Sequence, residues 1–370
     1  MKIKSVTLYH VSAPLKGPFY NALGTLHERE AIIIKVNDKD GMCGWGEVVA
    51  FSTPWYTEET VYTCMYALKE FLLPILNQHT HISHPEEAAA LFSSIRGHHM
   101  AKAGLEAAIW DLYSKQKGLS LAAIIGGTRE YIETGVVIAA KDVSKIGEQI
   151  DRFKEDGYKR YKIKINKENA ISVLTAIRNQ YPELPIMADA NSSFTMEDLP
   201  LLKKLDDYQL MMIEQPFSHE DLYDHSVLQK QLATPICLDE SITSFQAARN
   251  AIALKSCRMI SVKMGRLGGW RQALQLHQFA EENATELWCG GMIEFGISKA
   301  HNIALASLPG FTIPGDISAS GRYWEHELLE EPIEVKNGRI HISDRPGIGY
   351  TVNEYILERM AKYMDVITCS

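Results

Sequence analysis

YKIK (161–164), IMAD (186–189), MMIE (211–214), ICLD (236–239) and ISVK (260–263) share one pattern: a short, largely apolar segment closed by a charged side chain. The closing residues Lys164, Asp189, Glu214, Asp239 and Lys263 are separated by 25, 25, 25 and 24 positions. One βα unit of a barrel takes about 30 residues, since about 250 serve eight units. The spacing therefore predicts that all five side chains stand at the C-terminal end of consecutive barrel strands, the end that carries the chemistry in this architecture. The plainer alternative is a set of unrelated solvated strand ends. An ionised group closing a buried strand is costly unless paired or bound to a metal, and that cost favours the functional reading.

Working outward, eight strand-like segments follow residue 127: TGVVIAA (134–140), YKIKI (161–165), PIMADA (185–190), LMMIEQP (210–216), PICLDE (235–240), MISVKMG (259–265), ELWCGG (286–291) and FTIPGD (311–316). Amphipathic helix text lies between them, as in VSKIGEQIDRFKEDG (143–157) and GWRQALQLHQFAEEN (269–283). Repeated βα units imply a parallel sheet. Upstream, SVTLYHV (5–11) and AIIIKV (31–36) read as strands, joined by a Gly/Pro-bearing loop, LKGPFYNALGT (15–25). Helical text follows at 58–76, at HPEEAAALFSSI (84–95) and at HMAKAGLEAAIWDLYSKQKG (99–118), which Gly118 closes. The first 120 or so residues thus read as α+β, strands before helices. The last 50 return to strand-like text, IEVKNGRIHI (333–342), expected to rejoin the first domain.

The 370-residue chain is 46% hydrophobic and 23% charged, the balance of a packed globular protein, and carries a net charge of −8. No Lys/Arg stripe suits nucleic acid, and no apolar run approaches the roughly 18 residues of a membrane span. The N-terminal text alternates like a strand and has no signal-peptide core, so a cytoplasmic location is expected. Six cysteines without CxxC pairing read as reduced, buried thiols. His225, His277 and His301 show no metal-ligand spacing and read as packing or surface residues, and Met211 and Met212 as core.

Three carboxylates from adjacent strand ends offer hard oxygen ligands of the kind Mg²⁺ accepts. Without a cation, three such neighbours repel and one tends to take up a proton. One lysine stands a unit before the acids and one a unit after, so a carboxylate held among them has its α carbon between two ammonium groups. That arrangement suits removal of an α proton and stabilisation of the resulting enediolate.

KIK (162–164), DAN (189–191), EQP (214–216), DES (239–241) and SVKMGRLGG (261–269), with GWGE (44–47) and AKAGLEAAIWDL (101–112), resemble the enolase superfamily, muconate-lactonizing subgroup. GGMIEFGISKAHNIALASLPGFTIPGDISAS (290–320) is similar to the o-succinylbenzoate synthase / N-succinylamino acid racemase family. The resemblance covers essentially the whole chain. It implies an α/β fold: a modified (β/α)₇β TIM-like barrel over residues 126–320. An α+β capping domain is formed by residues 1–125 with a returning C-terminal segment, 321–370.

By the same resemblance Lys164 and Lys263 are the catalytic pair, and Asp189, Glu214 and Asp239 hold Mg²⁺, for which Mn²⁺ can substitute. Lys162, Asn191 and Glu240 support the substrate carboxylate and the ligands. Gly291, Met292 and Ile293 form a pocket floor for a succinyl arm, and the loops of Phe19 and Trp55/Tyr56 close over the substrate. Arg266 either reaches an anionic substrate end or serves the turn, and Asp316 is either catalytic or a support of the barrel mouth. The implied activity is dehydration of 2-succinyl-6-hydroxy-2,4-cyclohexadiene-1-carboxylate to 2-succinylbenzoate in menaquinone biosynthesis. The alternatives are racemisation of N-succinylamino acids, dipeptide epimerisation and a non-catalytic binding protein. Epimerisation is disfavoured because Asp316-Ile317-Ser318 stands where that relative carries Asp-x-Asp. A homo-oligomer acting on a small carboxylate is expected.

Overall fold

The computed structural model describes residues 1–21, 24–138 and 143–369. Three strands open the chain: β1 (Ile3–Asn21), β2 (Gly24–Asp38) and β3 (Cys43–Val48). They form an antiparallel sheet with β1 between β2 and the last strand of the chain. The segment read as a loop at 15–25 is a correction: its described residues extend the β1–β2 hairpin, with Phe19 opposite Leu26. Pro14 and Pro18 hid this, and the ladder accommodates them through a register shift between Pro14 and Phe19. Ala22 and Leu23 lie outside the described residues.

The helix His99–Lys117 crosses this sheet. GWGE explains the close approach: a Cβ on Gly44 would lie 2.2 Å from the Ala108 carbonyl oxygen, and one on Gly46 would lie 2.1 Å from that of Gly104. Gly118, in the left-handed conformation, ends the helix as its position suggested. Glu106 on this helix is buried, and its Oε1 accepts from the Arg271 amide at 2.8 Å and from Trp110 Nε1 at 3.3 Å. Burial pushes its carboxyl up to about 7, against those hydrogen bonds.

An acid held above its ordinary 4.5 is most compatible with folding when protonated. Its contribution is full below about pH 4.5 and is lost as pH rises to about 7, by at most about 3 kcal/mol. Glu106→Gln keeps the acceptor and stays neutral. Its melting temperature relative to wild type should therefore climb between pH 5 and pH 8 in parallel thermal melts, and parallel curves would contradict this account.

The strands β4 (Tyr131–Glu133) and β5 (Gly135–Ile138) start the second half, with β6 (Arg160–Lys164), β7 (Ile186–Asp189), β8 (Ile213–Glu214), β9 (Ile236–Leu238), β10 (Met259–Val262) and β11 (Glu286–Cys289) following. β5 through β11 form one parallel sheet in sequence order, with helices between the strands. Ala139 and Ala140 of the first strand-like segment lie outside the described residues.

The eighth segment, FTIPGD, is not a regular strand. It bridges both edges of the sheet, Phe311 with Leu287 and Gly315 with Thr134, so that it stands where an eighth strand closes a barrel. Pro314 in its middle has no amide to donate, which keeps the pairing to single bridges.

Alternate residues point inward. Met187, Met212, Cys237, Met259 and Trp288 form one buried cluster, while Ile163, Ile186 and Ile213 belong to the larger core outside it. Downstream, β12 (Arg339–His341) pairs with β4 and not with the first sheet, correcting the expectation for IEVKNGRIHI. It is β13 (Ala361–Thr368) that lies against β1. All six cysteines are free. No helix among the described residues is long and apolar enough to cross a membrane.

Candidate active site

The three inward positions of β6 rise toward the mouth as Arg160, Lys162 and Lys164. Arg160 is buried over the Trp288 ring, donates to the Pro314 carbonyl and pairs with Asp316. Lys162, one step higher, lies 2.8 Å from Glu214 Oε2, 3.1 Å from Asp316 Oδ2 and 3.3 Å from Asp189 Oδ2. Lys164, at the rim, donates to Asn191 Oδ1 at 2.6 Å and lies 3.7 Å from Asp189 Oδ2. The parallel register sets Lys164 opposite Asp189 and Asp189 opposite Glu214, so these three stand in one row, whereas Glu214 lies opposite Cys237 and Asp239 comes two positions later in the chain.

On the far side of the acids, Lys263 Nζ donates to Asp239 Oδ2 and to the Tyr56 hydroxyl, each at 2.8 Å. Arg266 lies 2.5 Å from Asp239 Oδ1 and bonds the Tyr56 hydroxyl and the carbonyls of Ser261 and Ile242. Its guanidinium is thus committed to Asp239 and the turn, and Arg266 is not among the residues lining the cavity. Asp316 holds Arg160 and Lys162 in place at the barrel mouth.

Electrostatics follow from this packing. Burial alone would lower the Lys263 pKa, but the Asp239 carboxylate raises it above the ordinary lysine value, so Lys263 is a cation at rest. Burial opposes ionisation of Asp239 as well, yet Arg266 and Lys263 hold it far below the usual range. Glu214 is the reverse case. Burial and the charges of Asp189 and Asp239 push it well up, against Lys162. Glu240, which accepts from Asn191 Nδ2 at 3.1 Å, is pushed up to about 7 by burial and by Asp239 and Asp189.

Among the described residues no three acidic, histidine or cysteine side chains form a closed metal cage; Lys162 lies between Asp189 and Glu214 while Asp239 faces Lys263 and Arg266. The donor set nevertheless fits a hard divalent cation. All its atoms are carboxylate oxygens, and the fully buried Glu214 has no hydrogen-bond partner beyond the ion pair of its Oε2 with Lys162, which leaves Oε1 orphaned.

A cavity of about 1060 Å³ opens above the row. Lys162, Lys164, Asp189, Asp239, Lys263, Asn191 and Glu240 line it, as do Gly291, Met292, Ile293, Phe19 and Trp55. Glu214 is not on its wall. A side chain on Gly291 would meet the Asp316 carbonyl oxygen at 2.6 Å, which keeps this part of the wall bare. The Met292 amide is taken by Glu294 and is not offered to the cavity.

Sequence reasoning gave Tyr56 only a covering role, but its hydroxyl joins Lys263 to Arg266. Lys299 went unnoticed too, although a lysine in the apolar helical text GISKAHNIALA was a signal. His225 and His301 are buried packing residues, His301 lying between Trp270 Nε1 and the Trp45 carbonyl.

The relationships match this architecture. Residues 145–356 match the enolase C-terminal domain-like family, and residues 3–126 the mandelate racemase / muconate lactonizing enzyme N-terminal domain. An o-succinylbenzoate synthase of Bacillus subtilis (strain 168) is 48% identical over 368 residues, covering 100% of this chain and 99% of the relative. An N-succinylamino acid racemase of Thermus thermophilus is 39% identical over 372 residues, covering all of both chains. A crystal structure of an enolase superfamily member from Listeria innocua superposes with a TM-score of 0.97 at 41% identity over all of both chains. A barrel whose strand ends carry this set of lysines and acids, beneath a capping sheet, and relatives of this extent lead to one conclusion: the chain belongs to the enolase superfamily, muconate-lactonizing subgroup, within the o-succinylbenzoate synthase / N-succinylamino acid racemase family.

Proposed function

We propose that this enzyme is an o-succinylbenzoate synthase. It converts 2-succinyl-6-hydroxy-2,4-cyclohexadiene-1-carboxylate to 2-succinylbenzoate and water in menaquinone biosynthesis. One observation carries the reading: Lys164 ends β6 and Lys263 directly follows β10, the two strands that flank the acid-bearing ones in the sheet, and both line one cavity. Enzymes of this superfamily use a divalent metal. In this chain Asp189, Glu214 and Asp239 would hold Mg²⁺, with Mn²⁺ able to substitute. When bound, the ion supplies positive charge to the carboxylate next to the reacting carbon and so acidifies its α proton.

Lys164 takes the proton from C1, alpha to the carboxylate, and leaves an enediolate. Lys263, already a cation, faces that developing negative charge. Lys164 then returns its proton to the C6 hydroxyl, the C–O bond breaks, water departs and the ring becomes aromatic. One residue therefore acts first as base and then as acid, on one face of the ring. The Asn191 side chain, held at its other end by Glu240, accepts from Lys164 and fixes its Nζ at the rim. Phe19 and Trp55 limit the access of water. The enzyme is cytoplasmic and homo-oligomeric in this reading.

A second activity, racemisation of N-succinylamino acids, is favoured by the same two lysines, since each can exchange a proton on its own face of the α carbon. The relative from Thermus thermophilus bears that name. Steady-state assays with both substrates on the Mg²⁺-loaded enzyme test the assignment. The dehydration kcat/KM should exceed that of racemisation. Fast racemisation with the cyclohexadiene left untouched would replace the primary reading.

A further inference from the structure

Lys299 lies in the first turn of the helix Gly296–Ala306 and is 1% exposed. Its Nζ has no hydrogen-bond partner, although buried charges are as a rule paired. It faces the Tyr323 ring at 5.6 Å from the centroid, and both residues line the cavity above the strand ends. Burial lowers its pKa, opposed by Glu327, Glu294 and Glu47, yet among the described residues none of these carboxylates lies within ion-pair distance.

These carboxylates are engaged elsewhere. Glu47 accepts from the amides of Phe295 and Ser298, Glu294 from Asn302 and the Met292 amide, and Glu327 Oε1 from the amides of Gly296 and Leu328. Glu327 Oε2 has no partner. Burial pushes the Glu47 carboxyl up to about 8, so this neighbour carries little negative charge at neutral pH.

The other cations at the mouth are committed. Lys162 serves three carboxylates, Lys263 and Arg266 serve Asp239, and Lys164 holds Asn191. Arg322, also on the wall, donates to the Val137 carbonyl. Lys299 follows β11, whereas the acids end β7 and β8 and follow β9, so it belongs to a different arc of the ring.

From this placement we infer that Lys299 is the specificity-determining cation for the second carboxylate of the substrate, the one at the end of the succinyl arm. The inference rests on the proposed function, in which the first carboxylate occupies the metal end. A succinyl carboxylate would give the unpaired ammonium its counter-ion. An analogue without that charge would leave the ammonium buried and unpaired in the complex, which is how a polar site rejects a ligand lacking the matching group.

The test is a ligand-by-mutation cycle on the Mg²⁺-loaded enzyme, with calorimetry of 2-succinylbenzoate and of 2-butanoylbenzoate, which has a methyl in place of the second carboxylate. Wild type should prefer the succinyl ligand by on the order of 10- to 100-fold, the range of a hydrogen bond to a charged group. Lys299→Met should bring the two ligands within about threefold of each other, and Lys299→Arg should keep part of the preference. Because Met removes an unpaired buried charge, Lys299→Met should melt no lower than wild type.

Retention of the full preference in Lys299→Met would overturn the inference. So would a lower melting temperature with equal losses for both ligands, which would mark a structural pair with Glu327. Loss of the preference in Arg322→Met alone would overturn it in favour of that arginine. If wild type binds neither 2-succinylbenzoate nor N-succinylphenylglycine, the proposed function itself falls, and this inference falls with it.

Discussion

Lys164→Ala is expected to lower the dehydration kcat/KM by on the order of 10⁴-fold, the upper range for removal of a general acid–base group, because this lysine acts in both halves of the reaction. Its side chain is 37% exposed at the rim, so the fold should persist with a stability change of less than about 1 kcal/mol. Lys164→Arg should not restore the rate. A guanidinium does not deprotonate at any pH the enzyme tolerates, so it cannot begin the reaction as a base. Steady-state kinetics beside thermal melts separate a chemical from a folding defect. Wild-type turnover in the arginine variant would place the base elsewhere.

Glu214→Gln carries the second large effect. In the metal-free protein this carboxylate is fully buried, with Lys162 beside its Oε2 as its one ion-pair partner among the described residues. Burial and the charges of Asp189 and Asp239 outweigh the ion pair with Lys162 and disfavour the ionised form of Glu214, so a neutral amide is the better fit and metal-free Glu214→Gln should melt above metal-free wild type. Added Mg²⁺ should reverse the order. A ligand at about 100 times its Kd stabilises the folded state by about 2.7 kcal/mol, and wild type should gain that while the variant gains little. EDTA should abolish wild-type activity and Mg²⁺ restore it, whereas the variant stays inactive under both conditions. Equal stabilisation of both proteins by Mg²⁺ would remove Glu214 from the ligand set.

The barrel was legible because burial makes parallel strands apolar, so the charged residue ending each one is conspicuous and its period is the length of a βα unit. The same logic singled out Lys164, Asp189, Glu214, Asp239 and Lys263, and register puts the first three in one row. What escaped detection had no such contrast. The β1–β2 hairpin carries Pro14, Gly17 and Pro18, and a bulged strand with those residues reads as a loop. β13 is exposed along much of its length, so its text lacks the apolar signature of a buried strand. Arg266 was ambiguous because a guanidinium beside a glycine turn is compatible with either a ligand or a carboxylate. Only the contact with Asp239 and Tyr56 decides. Tyr56 and Lys299 reach the site through tertiary packing, a hydroxyl meeting Lys263 from 207 positions away and an ammonium on a helix past the last regular barrel strand.

The claim that two lysines flank one α carbon is tested most directly by proton exchange in deuterated water, followed by NMR, with each enantiomer of an N-succinylamino acid. Wild type should exchange the α proton of both. Lys164→Ala should retain exchange with one enantiomer only and Lys263→Ala with the other only. Loss of both exchanges to the same degree in each variant, or no loss in either, would contradict the assignment of one lysine to each face.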